Sequence, residues 1–411
     1  MLSDEVIEKL TERLTERIEN VNLYILQEIA KNIKKIGSLS PTNAMQLGQM
    51  IKYGGSYEKI VKKLADITKL NVKEIEKIFD EVAKKEYTFM KQVYNYRGKD
   101  FLPYENTWLK TQVDAIKNNA IGEYTKLMSS AATGISFEGS MGQKTFKSLP
   151  VAYEQIMDEA ILSITQGKST FNTEMARVLK QIGGSGIRRL EYGGKRSVRL
   201  DSSVRMQMKD AIMDLHNKTQ EIIANDLNTD GWEITVHEYP APDHAEAQGK
   251  QFRNEEFDNF QNDRDAKSYD GMDFPAISVE TGHDRRSIGQ YNCYHTAFAI
   301  VLGVNKPQYT DKQLKEILKK NDDGFEYKGK HYTMYEGTQL QRNIERQVRN
   351  QKDLQMMYQS AGESGIEEAE KCQMKINKLL REYKNISDIS GLSMKKDRMR
   401  VSNYKRIAKN K

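Results

Sequence analysis

The sequence predicts an α+β protein that is predominantly helical. Apolar residues recur every three or four positions over long stretches near both ends of the chain, the spacing of one helical face. Alternation appears at Trp232-Glu233-Ile234-Thr235-Val236-His237, and a short apolar run at Ala297 to Leu302, as in half-buried and buried strands. The 411 residues are 38% hydrophobic and 30% charged, which suits helices with broad solvated faces around a modest core.

Val6, Leu10, Leu14, Ile18, Val21, Ile25, Ile29, Ile33 and Ile36 form the first stripe. Ser3 can cap it, Asp4 and Glu5 lie at the positive end of its dipole, and Gly37 ends it. Ser40-Pro41 opens a second helix stopped by Gly54-Gly55, and Ser56 opens a third. Asn71 with Glu74 three residues on predicts a capping box and a fourth helix running to about Arg97. Together these make an N-terminal helical region, 1–100. A middle region, 101–230, is expected to stay mostly helical, broken by Gly134 to Gly142 and by Gly183-Gly184-Ser185-Gly186. Tyr192-Gly193-Gly194-Lys195 reads as a tight turn near Arg188, Arg189, Arg196, Arg199 and Arg205. That cluster suits a solvated surface, or a site for phosphate or an acidic protein face.

An α+β domain is expected at 231–332. Pro240 and Pro242 end its first strand, and Asp243-His244-Ala245-Glu246 reads as a one-turn helix closed by Gly249. Residues 226–284 carry 15 acidic side chains against 4 basic ones, so this part is not expected to lie on DNA. Thr310 can cap a helix from Asp311 to Lys320, and Phe325 to Tyr332 reads as a hairpin turning at Gly329. The remainder, 333–411, is a helical arm: Tyr335 to Tyr358, a break at Ala361 to Gly365, then a stripe from Ile366 through Tyr383. Its two helices form either an antiparallel hairpin or one interrupted coiled coil.

The net charge of +6 is unevenly placed. Residues 1–370 hold 51 basic and 55 acidic side chains, whereas residues 371–411 hold 13 and 3. Lys395, Lys396, Arg398, Arg400, Lys405 and Arg406 are therefore candidate contacts to DNA phosphates, which require only charge. Tyr404 beside Lys405-Arg406 offers little for stacking on single strands. Two cysteines, Cys293 and Cys372, cannot build a disulfide framework, which fits a reducing compartment. The N-terminus is acidic where a secretory leader would be basic, and no run of 18 apolar residues occurs. A soluble product assembled inside a cell, with no membrane contact, is expected.

No Walker phosphate loop, H-E-x-x-H, nucleophile elbow or paired C-x-x-C occurs. One constellation remains: His244 with Asn292-Cys293-Tyr294-His295. Cys293 can pack as a small hydrophobe while the histidines make structural hydrogen bonds. Alternatively, His244, Cys293 and His295 hold a structural zinc, completed by His237, Asp243 or water, since imidazole and thiolate are both good zinc ligands. A third reading is thiol chemistry, with a histidine lowering the thiol pKa. No other cofactor is expected.

The order of segments carries a resemblance. Tyr192-Gly193-Gly194-Lys195-Arg196-Ser197 leads to Leu200-Asp201-Ser202-Ser203-Val204-Arg205, then to Trp232 through His237. Asp243-His244-Ala245-Glu246-Ala247-Gln248-Gly249-Lys250-Gln251-Phe252 follows, then Tyr291-Asn292-Cys293-Tyr294-His295, and last Tyr327 through Gln339 with Gln341 through Arg346. This series resembles the minor capsid protein 2 family of tailed bacteriophages, akin to the Mu F-like minor head proteins. Tyr294 stands where the family pattern has arginine, and Ala297 to Leu302 replaces its proline-rich continuation. The resemblance implies a virion component at the portal vertex or capsid interior, assembled in the host cytoplasm. Its implied partners are portal and capsid proteins, and its implied role is head assembly, DNA packaging or DNA delivery, without enzymatic activity. The competing expectation is a thiol- or zinc-dependent enzyme delivered with the virion, using His244, Cys293 and His295.

Overall fold

The apolar stripe that begins at Val6 lies on one helix, α1 (Asp4–Gly37), with Leu14, Ile18, Val21, Ile25 and Ile29 buried along it. The computed structural model describes residues 4–37, 56–129, 133–138, 144–170, 173–174, 177, 187–190, 197–278, 282–290, 293–360, 362–401 and 403–407. The helix expected from Ser40-Pro41 lies outside them, as do the Gly183 to Gly186 and Tyr192 to Lys195 turns.

Helix α2 (Ser56–Tyr96) runs unbroken through Asn71, so the capping box expected there does not form. The two polar side chains are used across helices instead. Asn71 donates to the Tyr124 hydroxyl at 2.9 Å and accepts from Arg17 at 3.1 Å, while Glu74 accepts from Arg17 at 3.3 Å. Helix α3 (Thr107–Ser129) follows, with the Asn106 side chain accepting the Leu109 N–H at 2.9 Å as its cap.

The middle region is mostly helical among its described residues, as expected, but short strands lie between its helices. Strands β1 (Thr133–Glu138) and β2 (Lys144–Ser148) precede helix α4 (Leu149–Thr165). Strands β3 (Ile187–Leu190) and β4 (Ser197–Arg199) precede helix α5 (Leu200–Leu227). They form one antiparallel sheet in the order β2-β1-β3-β4. Each strand is six residues or shorter, too short for its alternation to stand out from helical periodicity. Ile135 and Ile187 pair across β1 and β3 and enter the core beneath α1 and α5.

Strand β5 (Gly231–Ile234) is central in a second antiparallel sheet. Its neighbours are β6 (Gln251–Arg253), which leads into helix α6 (Asn254–Gln261), and β9 (Ala297–Ile300); a small β7 (Ala266–Lys267) and β8 (Asp273–Phe274) pair lies between. Ile234, Phe252, Phe257, Phe260 and Phe274 make its core. Helix α7 (Asp311–Asp323) starts with the expected Thr310 cap, completed by Gln313 into a capping box. Strands β10 (Phe325–Tyr327) and β11 (Lys330–Tyr332) form the expected hairpin, with Lys328 at φ 50° and Gly329 at φ 74°. Two left-handed residues in succession match the twist that two-residue hairpin turns need.

Helices α8 (Met334–Ser360) and α9 (Ile366–Ser390) are antiparallel. Gln341 donates to Ser387 at 2.9 Å, and the Tyr383 hydroxyl donates to Glu345 at 2.7 Å. A buried charge network then binds this hairpin to the N-terminal helices. Arg199 reaches Asp201 and Asp353 at 3.0 and 3.1 Å, and Arg349 reaches Asp201 and Glu19 at 3.0 and 3.1 Å. Arg199 thus leaves the basic surface cluster that the sequence suggested. Among the described residues, no helix is long and apolar enough to cross a membrane.

Candidate functional site

The β5–β9 ladder sets the site. Ile234 pairs with Ala297, and the next N–H along, Thr235, donates to the Thr296 carbonyl at 2.9 Å. Beyond that point His237 and the Cys293 to His295 segment leave the sheet at the same end. Between them, Pro242–His244 makes a single 3-10 turn, and the Gly249 N–H returns to the Ile234 carbonyl at 2.8 Å. This return folds His244 back over the same sheet end.

His244, Cys293 and His295 meet there. Cys293 Sγ lies 3.2 Å from His244 Nδ1 and 3.4 Å from His295 Nδ1, and the three ligand atoms lie within 4.8 Å of one another. All three residues are buried. The outer ring nitrogens fix the tautomers. His244 Nε2 is 2.6 Å from the Arg286 carbonyl, which can only accept, so Nε2 carries a proton. His295 Nε2 is 3.3 Å from Gln248 Oε1. That oxygen also accepts the His237 backbone N–H at 2.9 Å, which identifies it as the carbonyl end of the amide. Each imidazole therefore turns Nδ1 toward the sulfur.

Electrostatics follow from the same contacts. Burial would push the Cys293 thiol up, but the hydrogen bond and charge of His244, with the backbone N–H groups of Gly289 and His295, hold it below its ordinary value. Burial disfavours a charged His244, yet Cys293 and then Asp243 draw its pKa above the usual histidine value. Burial, then the neighbouring His237 and His244, keeps His295 well below that value. Two chemistries fit the arrangement. A thiolate beside an imidazolium is an activated nucleophile. Two imidazoles and a thiolate are a zinc-type ligand set. The nucleophile reading leaves His295 without a part; the ligand reading uses all three.

Three further residues hold the site, and the sequence did not single them out. Arg286 is gripped by Asp243 through bonds of 2.6 and 2.7 Å, which fixes the carbonyl that His244 needs. Lys209, buried on α5, donates to the Cys293 carbonyl at 2.6 Å and lies 3.7 Å from the Tyr294 ring centre. Gln248 orients His295. Only Gln248 falls within a segment that carried the resemblance; single polar residues elsewhere have no periodic or spacing signal. A cavity of about 410 Å³ opens beside the trio, lined also by Tyr335, Arg342, Lys395 and Arg398.

The basic C-terminal segment folds back onto the helical hairpin. A 3-10 turn, Lys396–Met399, buries Met399, and Val401 is buried after it. The Lys395 N–H donates to the Tyr383 hydroxyl at 2.9 Å, and Gln355 donates to the Lys405 carbonyl at 3.1 Å. Arg398 is ion-paired with Glu8 of α1. Lys395, Lys396, Arg400, Lys405 and Arg406 are exposed, and Arg406 reaches the Asn377 side chain at 3.2 Å.

No curated protein and no solved structure matches the chain. Residues 2–385 match the family model described as phage minor capsid protein 2.

Proposed function

The chain belongs to the phage minor capsid protein 2 family, and we propose that within the virion it acts at the portal vertex or on the inner face of the head, serving assembly, DNA packaging or DNA delivery. Its helical faces dock on portal and capsid proteins, and its folded C-terminal segment contacts packaged DNA through phosphates. The reading is one of binding rather than catalysis. The observation that supports the DNA contact is the state of the tail's charges: five cations are exposed on backbone held by hydrogen bonds, while Arg398 is committed to Glu8. Cations carried on an ordered backbone lose less conformational freedom on meeting DNA phosphates than they would on a disordered tail.

Duplex DNA binding by the full chain, measured across a salt series, tests this. Each phosphate neutralised contributes about 0.9 to the slope of log K against log salt. Replacing Lys395, Lys396, Arg400, Lys405 and Arg406 by glutamine is expected to reduce that slope by up to about 4.5. Equal slopes for the two proteins would remove DNA from the proposal. Particles carrying the same variant should still incorporate the protein, if docking rests on the helical faces, but retain less DNA.

A further inference from the structure

We propose that His244, Cys293 and His295 form a zinc site, binding Zn²⁺ through His244 Nδ1, His295 Nδ1 and the Cys293 thiolate, with the fourth position open to the adjoining cavity. Several independent features of the geometry support this. The three donor atoms converge on one another from two separate segments of the chain, the turn at His244 and the segment from Cys293 to His295. Tetrahedral zinc, with bonds of about 2.3 Å to sulfur and 2.0–2.1 Å to nitrogen, places sulfur and nitrogen ligands about 3.6 Å apart. The observed sulfur–nitrogen separations of 3.2 and 3.4 Å need a few tenths of an ångström of widening, and the two imidazole nitrogens, which lie within 4.8 Å of each other, must settle at about 3.4 Å to admit the ion.

The outer contacts are those a metal site requires. Each ring's remote N–H is held by an oxygen, the Arg286 carbonyl for His244 and Gln248 Oε1 for His295. Such partners fix the tautomer that frees Nδ1 for the metal. The Arg286 carbonyl is itself held in place by the grip of Asp243 on the Arg286 guanidinium. That carboxylate faces His244 Nε2 at 3.8 Å, on the side away from the sulfur, so it supports the site and does not ligate. Among the described residues, no fourth His, Cys, Asp or Glu joins the group. All three ligands line the cavity of about 410 Å³, so a water molecule can complete the coordination from that side.

The purified full chain tests the site without any assembled particle, so its failure is separable from failure of the virion role. Zn²⁺ titration of metal-stripped protein is expected to saturate at one equivalent. Co²⁺ in its place is expected to give the intense visible bands of a four-coordinate ion and a near-ultraviolet thiolate charge-transfer band. Cys293→Ser should remove the charge-transfer band, whereas Cys372→Ser, at the other and remote cysteine, should retain it. His295→Gln should lower zinc affinity at least tenfold while circular dichroism stays unchanged. The proposal is overturned if wild-type protein takes up less than a tenth of an equivalent at micromolar Zn²⁺. It is equally overturned if the cobalt spectrum survives Cys293→Ser.

Discussion

Glu19 shows how burial and charge compete at a single residue. Its side chain is 11% exposed on α1, 3.1 Å from Arg349. Burial first, and the Asp201 charge second, outweigh that arginine and push its carboxyl up to about 7. A carboxyl raised on folding binds its proton more tightly in the native state, so stability from this source is complete at low pH and declines as pH rises from about 4.5 to 7. The loss amounts to roughly 2–3 kcal/mol. Asp210, pushed up to about 6 mainly by burial, adds to the same trend. Asp201 runs the other way. Although buried, it is held far below the ordinary range by Arg199 and Arg349, and its contribution is lost only in stronger acid. Glu19→Gln should therefore flatten the decline between pH 4.5 and 7 in denaturant melts without altering the acid transition. Asn71 gives a second test. Removing its amide with Asn71→Ala takes the Asn71 donor from the buried Tyr124 hydroxyl and leaves Arg17 to Glu74, at an expected cost of about 1–3 kcal/mol in chemical denaturation.

The helical hairpin is the element on which the C-terminal third is built, and its turn depends on close backbone approach. A side-chain carbon at Gly365 would lie 2.0 Å from the Tyr358 carbonyl oxygen. Gly365→Ala is therefore expected to displace α9 from α8 and cost about 1–3 kcal/mol, seen as a lower midpoint in urea. The stripes that predicted these two helices are visible because each runs for many turns. The β10–β11 hairpin was equally legible, because its turn residue and flanking aromatics lie within eight positions. The β2-β1-β3-β4 sheet was not. Its strands are brief, it pairs β1 with β3 across an intervening helix, and segments rich in Lys, Arg, Ser and Thr carry little apolar alternation. The helix break expected at Asn71 failed for a related reason. A capping motif is a local pattern, and partners on α1 and α3 took up its side chains.

At the scale of the whole molecule, the first helix and the last segment meet. Arg398 pairs with Glu8, 390 residues away in sequence, and Lys352 holds the Met399 carbonyl at 2.6 Å. Glu8→Ala should loosen the basic segment and hasten tryptic cleavage after Lys395 to Arg400, with the helical core still protected. The sequence by itself determined the family, the predominance of helix, the long amphipathic stripes and the placement of positive charge at the C-terminus. Those are properties of residue order, composition and short-range periodicity. It offered His244, Cys293 and His295 as candidates from residue chemistry alone, with no means of saying whether they met. Tertiary structure alone decided that they do, because the 3-10 turn and the ends of β5 and β9 are brought together by sheet pairing. It also decided that the basic tail lies against the helices: its apolar residues Met399 and Val401 find burial there, and Arg398 finds a carboxylate that sequence distance concealed.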